Sequence, residues 1–171
     1  MAGHNKWAQI KHQKAVTDKK KSAVFSKILN AIAIAAREEP NPDFNPRLRS
    51  LMEKARENSI PQENIEKAIK KTKGAENLKE ITIEAYGPAS IALIIFAITD
   101  NSNRTINEIK QILINNDAKM AEAGSVRWAF EGEKPKFPQQ LTGEEKQRMG
   151  KLIQELENHP DIQKVIGNWL N

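Results

Sequence analysis

Apolar residues recur at helical spacing from Ser22 to Arg37, with Val24, Phe25, Ile28, Leu29, Ile32 and Ala36 on one side and Lys27 and Asn30 on the other. This spacing predicts a helix, which Pro40 and Pro42 in EEPNPDFNP end in a loop. Pro46 suits the first turn of a second helix. Its stripe of Leu48, Leu51, Met52 and Ala55 runs to about Asn58 and leaves Arg47, Arg49, Lys54 and Arg56 to the side. Pro61 opens a third helix, with Glu63 in its first turn, Ile65, Ala68 and Ile69 facing in, and Gly74 as its stop. Three helices with one apolar stripe each can bury a shared core, so residues 1–76 read as a small all-helical domain.

The period changes after Leu78. Ile81, Ile83 and Ala85 alternate with Thr82 and Glu84, as in a strand with one wet face, and Tyr86, Gly87 and Pro88 turn the chain. Ile91 to Ile98 is apolar almost without break, which suits a central strand covered on both faces or one whose alternation is hidden by alanines. Thr105 and Glu108 have capping-box spacing, and Ile106, Ile109 and Leu113 form the stripe of the helix that follows. Val126, Trp128 and Phe130 alternate with Arg127 and Ala129, predicting a third strand with Trp128 in the core. Pro135 and Pro138 make residues 132–141 a loop. Thr142 and Glu145 then cap a helix lined by Met149, Leu152, Ile153 and Leu156, and Ile162 to Ile166 form a fourth strand. Residues 77–171 therefore read as an α+β sandwich in the order ββαβαβ, with a mainly antiparallel sheet and helices on one face.

Charge divides the chain more sharply than hydropathy does. The first 27 residues hold seven lysines and one acid, Asp18, a net of +6 against +5 for all 171 residues. Residues 1–74 carry 16 Lys+Arg and 8 Asp+Glu, net +8, whereas the remaining 97 carry 11 and 14, net −3. Lysines interleaved with a flat ring and imidazoles suit a polyanion, so phosphate contact is expected in the first half. The candidate contact residues are His4, Lys6, Trp7, Lys11, His12, Lys14, Lys19, Lys20 and Lys21, joined by Arg47 and Arg49. Trp7 has two readings, stacking on a base or filling a slot against the first long helix. Arg104, in TDNSNRT at a predicted helix start, also has two: anion contact at free N–H groups, or ordinary turn and capping chemistry.

The opening MAGHNKWAQIKHQKAVTDKKKSAVFSK and the later NPRLRSLMEKARENSIPQENIEKAIKK resemble the start of the YebC/PmpR family. EAYGPASIAL, ITDNSNRTINEI and GSVRWAFE resemble its second domain in the same order. The resemblance implies a bacterial transcriptional regulator binding DNA through the basic domain. It equally implies a ribosome-associated translation factor, bound to ribosomal RNA and assisting synthesis of difficult, proline-rich stretches, since the mitochondrial translational activator of cytochrome oxidase is similar. Family members usually insert a third domain after the GSVRWAFE stretch. Here residues 132–141 take its place.

Other chemistry finds little support. The chain has no cysteine, so neither a disulfide framework nor a thiolate zinc site is open to it, and His4, His12 and His159 are too scattered in sequence for a usual ligand set. GxSxG, HExxH and P-loop motifs are missing, so no enzymatic activity, cofactor or small-molecule substrate is expected. The start lacks an apolar signal core, and Ile91 to Ile98 is far shorter than the roughly 20 residues of a membrane span, so a cytoplasmic protein with no membrane partner is expected. The competing reading is a protein-interaction module whose lysines serve solubility.

Overall fold

The computed structural model describes the backbone of residues 3–71 and 77–170 and, within it, the side chains from Lys20 onward. The fold is α+β, and the chain divides into two compact units, Met1–Thr72 and Lys73–Asn171.

The first unit is helical. Helix α1 spans Gly3–Glu38, so it begins well before the predicted Ser22. Residues 4–38 contain neither proline nor glycine, and good helix formers outnumber the poor ones, so nothing halts the helix short of Gly3. Helices α2 (Pro46–Glu57) and α3 (Gln62–Lys70) follow, and Gly74, the expected stop of α3, lies outside the described residues. The core joins Ile28, Ile32, Ala35 and Ala36 of α1 to Leu48 and Ala55 of α2 and to Ile65 and Ala68 of α3. Asn45 fixes the corner between α1 and α2. Its side-chain oxygen accepts the N–H of Leu48 at 2.9 Å, while its amide nitrogen donates to the carbonyls of Ala35 at 2.9 Å and Glu39 at 2.8 Å. One buried side chain thus caps the start of α2 and takes up carbonyls that the end of α1 leaves over.

The second unit is built on strands β1 (Lys79–Tyr86), β2 (Ala92–Thr99), β3 (Lys119–Met120) and β6 (Ile162–Gly167), in the antiparallel order β3-β1-β2-β6. Helices α4 (Ser102–Asn115) and α5 (Gly143–Asn158) cover one face, packing Ile109, Leu113, Met149, Leu152 and Leu156 against Ile83, Leu93, Ile95 and Ala97. The other face of β2 carries Ala92 and Ile94, which pack with Val126, Ala129 and Phe130. Both faces of β2 are therefore buried, which explains its unbroken apolar run. Gly167 is needed at the end of β6, because a Cβ there would fall 1.9 Å from a ring carbon of Trp169.

Three expectations need correction. The third strand of the sheet is Lys119–Met120, not Val126–Phe130, where a 3-10 turn (Arg127–Ala129) leads into a small hairpin of β4 (Phe130–Glu131) and β5 (Lys134–Pro135). The expected ββαβαβ order thus gains two short strands, of which β5 lies inside the presumed loop 132–141, and Pro135 is tolerated because β5 ends on it as an edge strand. Helix α4 starts three residues before Thr105: Asn101 is its cap, accepting the N–H of Arg104 at 3.1 Å, and Thr105 is buried within the helix. By contrast, Thr142 and Glu145 form the full reciprocal capping box at the start of α5.

Candidate nucleic-acid interface

The predicted contact residues of the first unit lie on α1 and α2. The side chains of His4, Lys6, Trp7, Lys11, His12, Lys14 and Lys19 lie outside the described residues, on the backbone of α1. Lys20 and Lys21 are exposed and, with Val24, Phe25, Glu57, Asn58 and Ser59, line a cleft of about 360 Å³. On α2, Leu48 and Ala55 are buried while Arg47, Arg49, Lys54 and Arg56 are exposed, so inward packing turns the cations to solvent. The buried side of each helix is fixed by the core, and the exposed cations can therefore change partners at little cost in packing.

Arg104 stands in different chemistry. Its guanidinium donates to Asp161 Oδ2 at 2.9 Å and to Asp100 Oδ1 at 3.2 Å, and lies 3.4 Å from Thr99 Oγ1. The Thr105 hydroxyl donates to the same Asp161 oxygen at 2.6 Å. The anion that Arg104 meets near the start of α4 is the protein's own Asp161, and the residue ties α4 to the approach of β6. Thr99 and Asp161 are buried, so this tie belongs to the framework of the second unit.

Beside it, Glu108, His159 and Asp161 bring donor atoms within 4.8 Å of one another, a grouping that the wide sequence separation of the histidines concealed. Those atoms already have partners. His159 Nδ1 accepts the N–H of Asp161 at 3.1 Å, which leaves the ring proton on Nε2 to donate to Glu108 Oε2 at 2.9 Å. Asp161 is shared between Arg104 and Thr105. A cation would have to displace this set, so it reads as a hydrogen-bonded clasp between α4 and the α5–β6 connection.

Trp128, expected in the core, instead stands on an aromatic surface of the second unit that sequence reasoning missed. Trp128 is 54 % exposed and Phe137 55 %, with ring centroids 6.1 Å apart and planes inclined by 31°. Both are mounted on fixed backbone. Lys136 N–H donates to the Ala129 carbonyl at 2.8 Å, and the fully buried Asn168 donates to the Phe137 carbonyl at 3.1 Å. Ahead of Trp128, the buried Glu84 carboxylate of β1 accepts the N–H groups of Gly124 at 2.8 Å and Val126 at 3.0 Å, and Arg127 Nε at 3.3 Å. Burial by itself would raise this carboxyl, but the two N–H groups and the guanidinium outweigh it and hold it below its ordinary value. The alternation Val126, Trp128, Phe130 gave no hint of the turn, because the acceptor that closes it lies some forty residues earlier.

Comparison with known proteins places these features. Residues 5–75 match the TACO1/YebC protein N-terminal domain, and residues 78–134 match the TACO1/YebC second and third domain. A relative from Fervidobacterium nodosum, named a probable transcriptional regulatory protein, is 37 % identical over 236 residues covering 99 % of this chain and 94 % of its own. Since this chain has 171 residues, that relative carries a stretch with no counterpart here. One from Thermosipho africanus, with the same name, is 49 % identical over 135 residues, 77 % of this chain and 54 % of its own, so the match spans about half of that relative. The crystal structure of a conserved hypothetical protein from Aquifex aeolicus superposes with a TM-score of 0.80 at 27 % identity, over 88 % of this chain and 90 % of that one. Two consecutive domain matches in family order, with a relative aligned along nearly its whole length, establish that the chain belongs to the TACO1/YebC family.

Proposed function

We propose that this protein is a non-enzymatic, nucleic-acid-binding regulator that docks on DNA through its basic N-terminal unit. The observation that carries the reading is the segregation of charge. A net of +8 sits on residues 1–74, and six of the described cations there, Lys20, Lys21, Arg47, Arg49, Lys54 and Arg56, are exposed on helices whose other sides are buried. Polyanion binding uses such point charges to fix position along a phosphate backbone, with no demand for base-reading groups. The names of the Fervidobacterium and Thermosipho relatives, probable transcriptional regulatory proteins, favour DNA and transcription as the setting. Among the described residues no helix is long and apolar enough to cross a membrane.

The test is binding of a DNA duplex as a function of salt, for wild type and for Lys20→Glu combined with Lys21→Glu. Both side chains are exposed, so circular dichroism should stay unchanged while the slope of log affinity against log salt falls by about two units. An affinity indifferent to salt would favour a protein-interaction module. Sedimentation of the tagged protein from lysate, with and without nuclease, separates targets: co-migration with ribosomes but not with DNA would move the contact to ribosomal RNA.

A further inference from the structure

The second unit is acidic in sum, yet its hairpin of residues 128–137, with two lysines against two glutamates, is neutral and carries two exposed rings. Trp128 and Phe137 stand side by side, more than half exposed, and Lys136 Nζ lies 5.8 Å from the centre of the Phe137 ring. Lys134 and Lys136 are exposed and meet no carboxylate among the described residues, whereas the nearby Glu133 is neutralised by Lys164. We infer that this hairpin, Trp128 to Phe137, is a stacking platform for single-stranded nucleic acid, a second contact besides the N-terminal lysines.

Each part of the surface has a use in that role. Two rings inclined by only 31° present faces on which unpaired bases can stack, and stacking of this kind accepts any base because every base has a π-face. Two cations without a carboxylate partner among the described residues can reach the phosphates between those bases. The platform is rigid where rigidity helps: Val126, Ala129 and Phe130 are buried beneath it, and the Glu84 and Asn168 hydrogen bonds hold its two ends. Little order therefore has to be imposed on binding. A paired duplex hides its base faces, so selectivity for single strands follows from the chemistry. A protein partner would find the same rings, but the unpaired lysines beside them favour a polyanion.

The proposal rests on the nucleic-acid reading above, and the experiment keeps the two apart. The full chain is titrated with oligouridylate, oligothymidylate and a DNA duplex of equal length. The proteins compared are wild type, Trp128→Ala with Phe137→Ala, Lys134→Glu with Lys136→Glu, and the Lys20, Lys21 double variant. The aromatic variant should lose about tenfold in single-strand affinity and nothing on duplex, and the quenching of tryptophan emission by the oligonucleotide should shrink with it. The Lys134, Lys136 variant, which keeps both rings, should lower the single-strand salt slope by about one unit. Unchanged single-strand affinity in both hairpin variants would overturn the platform, whatever the Lys20, Lys21 variant does. So would an aromatic variant that only turns a self-associating protein into a monomer, since that would assign the rings to a second copy of the chain. Loss of duplex binding in the Lys20, Lys21 variant, together with unchanged single-strand affinity in both hairpin variants, would leave the N-terminal reading standing without the platform.

Discussion

Glu84 is a carboxylate in a place where burial argues against charge, with a side chain only 4 % exposed. It persists as an ion because two N–H groups and Arg127 converge on it, and that convergence folds Gly124 to Arg127 into the turn that carries Trp128 outward. Its folded-state pKa is lowered, so its contribution is complete above the unfolded value of about 4.3 and is lost as pH falls through the folded one. Glu84→Gln should therefore cost about 1–3 kcal/mol at pH 7, with the gap from wild type narrowing below about pH 4. Denaturant unfolding at pH 7 and pH 3 measures this, and a gap independent of pH would deny the ion its role. The same residue marks a limit of sequence reading. Glu84 took its place in an alternating strand correctly, but alternation could not say that its polar end would be buried and would dictate the conformation of residues forty positions away.

Helices were legible where their signals were local. Pro46 after Asn45, the Thr142 and Glu145 box, and the stripes of α2 and α5 all depend on neighbours within one or two turns. Errors arose where two local signals competed or a distant partner decided. Both Asn101 and Thr105 could cap α4, and the Asp161 carboxylate claims Thr105, leaving Asn101 at the cap. Asn45 shows how much one joint can carry, since it serves two helices at once. Asn45→Ala should cost about 2–3 kcal/mol in thermal or denaturant unfolding of the first unit, through the lost cap and the lost hydrogen bonds to the Ala35 and Glu39 carbonyls. Asn45→Asp keeps the acceptor and loses both donors, so it should fall between alanine and wild type. If aspartate matched wild type, the bonds to Ala35 and Glu39 would be idle.

Each unit encloses its own hydrophobic cluster, one around Ile32, Leu48 and Ile65, the other around Leu93, Leu113 and Leu152. Residues 73–171 expressed alone should therefore melt cooperatively with the helix and strand content of the sheet unit, as read by circular dichroism and calorimetry. A fragment without a cooperative transition would show that it needs residues 1–72 to fold. Charge follows the same division, which composition revealed before any coordinates did; the aromatic hairpin did not follow it, because local surface chemistry is averaged away in a net charge. The length of α1 sets one further bound. Lys6 and Lys27, the outermost of the seven early lysines, both belong to this helix, and at 1.5 Å per residue their 21-residue separation comes to about 32 Å. On a straight duplex rising 3.4 Å per base pair, that is a footprint of about nine base pairs, less than one turn of the double helix. Any longer protected stretch would have to be covered by the cations of α2, by a neighbouring molecule or by the second unit.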